Sequence, residues 1–187
     1  INMADKKQSK KGRVVQKQVS LAKDFAEACV PYESTTKLRE KTNCYTYALG
    51  IPEHGHGIPG YLTAPNTLKS TTEYGKKITS SFIFDQLVKD GLNPISEQDI
   101  SPDSPVNIIA AFIAPHQDYH FYRYHKDETW SHQKGSGGKL SCFDNNNDRI
   151  TDIHCADHEK YKEFIGFFAL PEEGIKYQAP KKRWWGL

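Results

Sequence analysis

An α+β domain built on an antiparallel sheet is the fold that the sequence predicts, on three observations. Apolar residues at helical spacing mark segments up to Gly91, and apolar segments with strand character follow. The two kinds do not alternate, as the βαβ units of a parallel sheet would. At 187 residues the chain is long enough for one domain with its own core.

Residues 1–20 are lysine-rich and poor in apolar residues, which predicts a basic, flexible segment. The compact domain is expected over 21–175 and a basic tail over 176–187. "SLAKDFAEACV" puts Leu21, Phe25, Ala28 and Cys29 on one helical face. Asn43 is a favoured N-cap, and Gly50 with Pro52 beyond it is a stop, so "NCYTYALG" reads as a short helix opening at Cys44. A Gly/Pro/His loop, "GIPEHGHGIPGYL", follows. "SSFIFDQLVKDG" predicts a helix with Phe82, Phe84, Leu87 and Val88 on its apolar side and Gly91 as its end. The strands are "VNIIAAFIA", apolar throughout and therefore central, then "DYHFYRYH", "TWSHQ" and "EFIGFFAL". The turn "KDE" joins the second and third into a hairpin.

The net charge of +2 hides an uneven distribution. Residues 1–20 carry six Lys or Arg and one Asp, and residues 176–187 carry four Lys or Arg and no acid, which leaves the segment between at −7. The acidic body has no basic helix, RNA-binding aromatic motif or finger spacing, so no nucleic-acid partner is expected, with a nucleic-acid or anionic-surface role for the basic ends as the alternative. No apolar run reaches the roughly 18–20 residues that span a membrane. The polar N-terminus shows no signal peptide, so a soluble protein is expected, cytoplasmic or exported by a dedicated secretion system. The four cysteines, Cys29, Cys44, Cys142 and Cys155, match no zinc framework; reduced thiols are expected, with a Cys142–Cys155 disulfide as the alternative.

Histidines supply a metal reading. His54 and His56 stand in "HGH", and His154 and His158 flank Cys155 at helical i,i+4 spacing, but the Glu of an HExxH site is missing. Loop histidines explain them as well, and neither a metal nor another cofactor is expected. Asp144, Asn146 and Asp148 begin like a calcium loop, yet Arg149 stands where Gly is needed and Cys155 where the Glu belongs, so a polar turn is expected.

The chemistry centres on Cys44. A thiol at a helix start feels the positive end of the dipole, which favours the reactive thiolate. A nucleophilic cysteine needs a base and a group to orient that base. The hairpin offers both: with its turn near Lys126 and Asp127, His120 and His132 fall opposite each other or nearly so, close enough to hydrogen-bond. Asp118 and Asp152 are the other candidates to orient the base.

These residues resemble the papain-like bacterial cysteine peptidases and amidases typified by NlpC. Pro31 and Tyr32 precede the cysteine, with Tyr32 twelve residues before Cys44; "NCYTYA" stands where the nucleophile helix begins; "HFYRYH" resembles the base-bearing strand; and His132 follows His120 by twelve residues. Asn43 replaces the usual Asp, and Tyr45 and Thr46 replace Ser-Gly. The resemblance implies a papain-like (NlpC-type) domain whose nucleophile helix packs on the antiparallel sheet. Within it Cys44 would be the nucleophile, His120 the base and acid, His132 the orienting residue and Tyr32 a neighbour of the thiol, with Asn43 and Asp118 in support. It further implies hydrolysis of an amide or peptide bond through a thioester, with a peptide, peptidoglycan or protein as substrate and an inhibitor or immunity protein as a partner. The alternatives are acyl transfer or deamidation by the same thioester, a binding domain that kept the fold without the chemistry, and a metallohydrolase built on the extra histidines.

Overall fold

A computed structural model describes residues 14–16, as backbone, and 40–178. The predicted helix over "SLAKDFAEACV", Pro31, Tyr32 and the tail from 179 lie outside the described residues.

Helix α1 (Cys44–Leu49) forms where the cap predicts it. Asn43 is extended, its side chain accepts from the Thr46 N–H, and the Thr46 hydroxyl oxygen accepts in turn from the Asn43 N–H, a reciprocal capping box. The helix ends at Gly50, whose φ of 72° lets its N–H and that of Ile51 reach back to the Tyr47 and Thr46 carbonyls, both at 3.0 Å. All six helical residues are buried. Helix α2 (Thr71–Lys76) is capped by Ser70. Helix α3 (Ser80–Lys89), capped by Thr79, turns Ile83 and Leu87 fully inward, leaves Phe82 and Phe84 half-buried, and exposes Val88. The expected apolar stripe is thus rotated toward the i,i+4 pair that meets the core.

One strand ribbon pairs β1 (Val14–Gln16) with β8 (Ile175–Tyr177), antiparallel, with Val14 opposite Tyr177. This ribbon joins residues from the expected N-terminal segment and the expected tail. Val14–Gln16 form a strand within the basic N-terminal segment, and Tyr177, within the expected tail, is buried.

The main sheet contains six antiparallel strands in the order β2 (Asn93–Ile95), β7 (Glu163–Ala169), β3 (Ile108–Ala114), β4 (Asp118–Tyr124), β5 (Trp130–Gln133) and β6 (Leu140–Ser141). Its central strand β3 is buried along its whole length because both faces are covered. On one face Ile109, Ala111, Ile113 and Phe121 pack with Cys44, Tyr45, Ile83 and Leu87 of the helices. On the other, Ile108, Ala110, Phe112, Tyr122 and Trp130 are covered by Ile150 and Ile153 of the long loop before β7. No helix among the described residues is long and apolar enough to cross a membrane.

Candidate active site

The cap fixes Cys44 as the first residue of α1. Asn43 Nδ2 also donates to the Gly57 carbonyl at 2.7 Å, fastening the helix start to the Gly/Pro loop. Gly57 permits that approach, because a Cβ there would lie 2.6 Å from Thr46 Cγ2. The thiol meets β4 beside residue 120, where Cys44 Sγ donates to the Tyr119 carbonyl at 3.9 Å. Burial pushes the Cys44 thiol up to about 12; the Asp118 carboxylate adds to the rise, while backbone N–H groups of Phe121, Tyr45 and Cys44 pull the other way. The thiolate expected at a helix start is therefore not the resting state. A six-residue helix has a weak dipole, and lost hydration outweighs it.

His120 and His132 do come together, Nε2 to Nδ1 at 2.7 Å, and His132 Nε2 lies 3.1 Å from the Phe143 carbonyl oxygen. The hairpin register places His132 opposite Tyr122, so the two imidazoles are diagonal neighbours on one face, joined because both rings are long. A carbonyl only accepts, so His132 donates from Nε2; its neutral Nδ1 then accepts, and His120 donates from Nε2. His120 Nδ1 is left unprotonated, the state a general base requires. Burial lowers His132 to about 4, and burial followed by the neighbouring His132 and His158 holds His120 well below the usual imidazole range. Both are neutral at pH 7.

Each ring is stacked on a tyrosine. Tyr161 lies over His120 and Tyr122 over His132, both with centroids 4.8 Å apart and planes 22° from parallel. Each hydroxyl is also fixed: Tyr161 donates to Asp118 Oδ2 at 2.8 Å, and Tyr122 is 2.8 Å from His158 Nδ1, whose Nε2 in turn donates to the Ile153 carbonyl at 2.7 Å. A cavity of about 170 Å³ opens onto His120, Tyr122, His132, His158 and Tyr161, with Lys134 and Glu159 among its charged lining residues.

Not all the expected residues converge. Cys44 packs with Tyr119 and Phe121 on the helix side of β4, whereas His120 and Tyr122 face the cavity, and no hydrogen bond joins Cys44 to either histidine among the described residues. Asp118 reaches His120 through Tyr161 rather than directly. Asp152 accepts from His154 and Cys155 in its own loop. Tyr32 lies outside the described residues. Cys142 is disulfide-bonded while Cys44 and Cys155 are free, so Cys142 departs from the expected reduced state and the Cys142–Cys155 pairing is not formed. Asp144 accepts from the Asn146 and Asp148 N–H groups, the polar turn expected there.

The histidines of the metal reading are dispersed. His54 is buried against the edge of Tyr177, His56 is bonded to Ser136, His154 is exposed beside Glu97, and His158 serves Tyr122. No group of three His, Cys, Asp or Glu that could hold a metal occurs among the described residues.

Sequence reasoning passed over Tyr122 and Tyr161. Period-2 alternation from His120 could have found Tyr122. Nothing local marks Tyr161, which arrives from the loop, or Phe143, which contributes backbone.

No protein-family model matches the chain, and no solved structure matches it. A curated relative, insoluble matrix shell protein 1 of Ruditapes philippinarum, is 27% identical over 133 residues, which cover 71% of this chain and 82% of that protein.

Proposed function

We propose that this domain is a papain-like cysteine hydrolase that cleaves an amide or peptide bond through a thioester on Cys44, with His120 as base and acid and His132 as its orienting residue. The observation that most supports this reading is the hydrogen-bonded run from His120 through His132 to the Phe143 carbonyl. It leaves His120 with one basic nitrogen, on a strand whose preceding carbonyl touches the thiol. Cys44 packs on the helix side of β4 and His120 on the cavity side, so this reading requires the thiol or the imidazole to move when substrate binds before the proton can pass between them.

The resting pair is a neutral thiol and a neutral imidazole. As Cys44 Sγ attacks the carbonyl carbon, its proton passes to His120 and the C–N bond then breaks, the amine leaving with that proton. Water attacks the thioester, gives a proton to His120, and releases the acid as the thiol is restored. An amine in place of water would give acyl transfer. Candidate substrates are peptides, peptidoglycan stem peptides and proteins.

Acetylation by p-nitrophenyl acetate tests the chemistry without a known substrate. An acetyl group on Cys44, found by peptide mass spectrometry and lost in Cys44→Ala, is the expected result. His120→Ala should slow acetylation by about 10²-fold or more, the ordinary contribution of a general base. Equal rates in wild type and His120→Ala, with both folded, would contradict the reading.

The burial of Cys44 favours a second reading, a binding domain without chemistry. The likeness to a protein named for an insoluble shell matrix favours it too. A Cys44 that takes no acetyl group would select it.

A further inference from the structure

We propose that Tyr161, tethered by Asp118, is a positioning residue for His120: its ring holds the imidazole in line with His132 and stabilises the imidazolium that forms when Cys44 gives up its proton. This role rests on His120 being the base of the proposed hydrolase. Tyr161 belongs to no strand and reaches the site from the loop before β7, so its place over His120 is set by its own contacts. Those contacts are the stacked ring, 4.8 Å from His120, and the hydroxyl, 2.8 Å from Asp118 Oδ2. Asp118 is itself pinned, Oδ1 accepting from the Tyr119 N–H at 2.9 Å and Oδ2 pairing with Lys160 Nζ at 3.0 Å.

The energetics favour the charged ring. A neutral imidazole gains mainly dispersion from the stack, whereas an imidazolium also meets the negative face of the tyrosine. A phenol donating to a carboxylate is more electron-rich, so the Asp118 tether strengthens the effect. That interaction is larger after proton transfer than before it, which is what lowers a barrier.

The other charged and titratable neighbours of His120 act differently. His132 on β5, Lys134 just beyond it, and His158 and Lys160 on the loop all disfavour a positive His120. Asp118 acts through Tyr161, and Glu159 and Asp157 sit across the cavity, while Cys44 lies on the other side of β4 against the Tyr119 carbonyl. Among these groups Tyr161 alone lies face to face with the His120 ring.

The test follows the His120 ring by NMR across pH in wild type, Tyr161→Leu, Tyr161→Phe and Asp118→Asn, with the rate of Cys44 acetylation by p-nitrophenyl acetate measured beside it. Tyr161 is half-buried, so these variants should fold. The expected result is that Tyr161→Leu moves the His120 titration to lower pH and slows acetylation about tenfold at saturating ester. Tyr161→Phe and Asp118→Asn keep a ring over His120 but remove its tether, so both readouts should fall between those of wild type and Tyr161→Leu. A native-like Tyr161→Leu in which His120 titrates as in wild type, while acetylation still depends on His120, would overturn the positioning role alone. Absence of acetylation in wild type would overturn the hydrolase reading and this role with it.

Discussion

At the scale of single residues, the site separates what side-chain spacing reveals from what it cannot. The twelve-residue interval between His120 and His132 was legible because a hairpin must bring such residues near each other. The register was not, since it depends on a loop in which Glu128 adopts a φ of 59° and the His125 N–H closes on the Thr129 carbonyl. The anchor of the run, the Phe143 carbonyl, is backbone and leaves no mark in residue identity. Within this geometry His132 must accept at Nδ1. His132→Asn, which retains an acceptor, should therefore keep more of the Cys44 acetylation rate than His132→Ala, whose loss should be about tenfold or more. Equal rates in the two variants would place the orientation of His120 elsewhere.

Elements were legible in proportion to their length and to the strength of their end signals. Helices α1 and α3 carry Asn43 and Thr79 at their starts, and β3, β4 and β7 are seven-residue apolar or aromatic runs. The strands β1, β2, β6 and β8 have two or three residues each, too few for a period to register, and β2 contains Pro94, tolerated there because the strand is at the sheet edge. The start of α1 makes two ties through one side chain. Asn43→Ala removes the cap and the bond to the Gly57 carbonyl, and should cost about 1–2 kcal/mol, seen as a Tm lower by roughly 2–8 °C. Asn43→Asp, the residue typical of the resembled family, keeps the cap and loses the donor to Gly57, so its loss should be the smaller. Calorimetry that finds Asp as damaging as Ala would show that the Gly57 tie carries most of the effect.

On the scale of the whole molecule, buried imidazoles govern the response to acid. Burial lowers His125 and His132 to about 4 from 6.5, and His54, His120 and His158 shift the same way. Between about 6.5 and 4 the unfolded chain binds protons that the folded one refuses, so stability is full above that window and is lost as pH falls through it. Asp90 opposes this. Burial raises it from 3.8 to about 6, so the folded state holds its proton and gains stability as pH falls toward 4. Several imidazoles outweigh one carboxylate, and the Tm should fall by roughly 5 °C or more between pH 7 and pH 4.5. A Tm unchanged or higher at pH 4.5 would mean that the histidines are less sealed than the fold implies.

The α+β class and the antiparallel sheet were legible because helical and strand patterns are segregated along the chain. The closing of β1 on β8 was not, because a basic segment gives no apolar period to read.

The most direct test of the proposed chemistry is the pH dependence of Cys44 acetylation by p-nitrophenyl acetate from pH 6 to 9, in wild type and in His120→Ala. A neutral thiol served by an imidazole that is already unprotonated at pH 6 predicts a rate nearly independent of pH in wild type, and a much slower one in the variant that climbs with pH. A wild-type rate that rises about tenfold per pH unit and coincides with that of His120→Ala is the signature of an unassisted thiol, and would contradict the assignment of His120 as base.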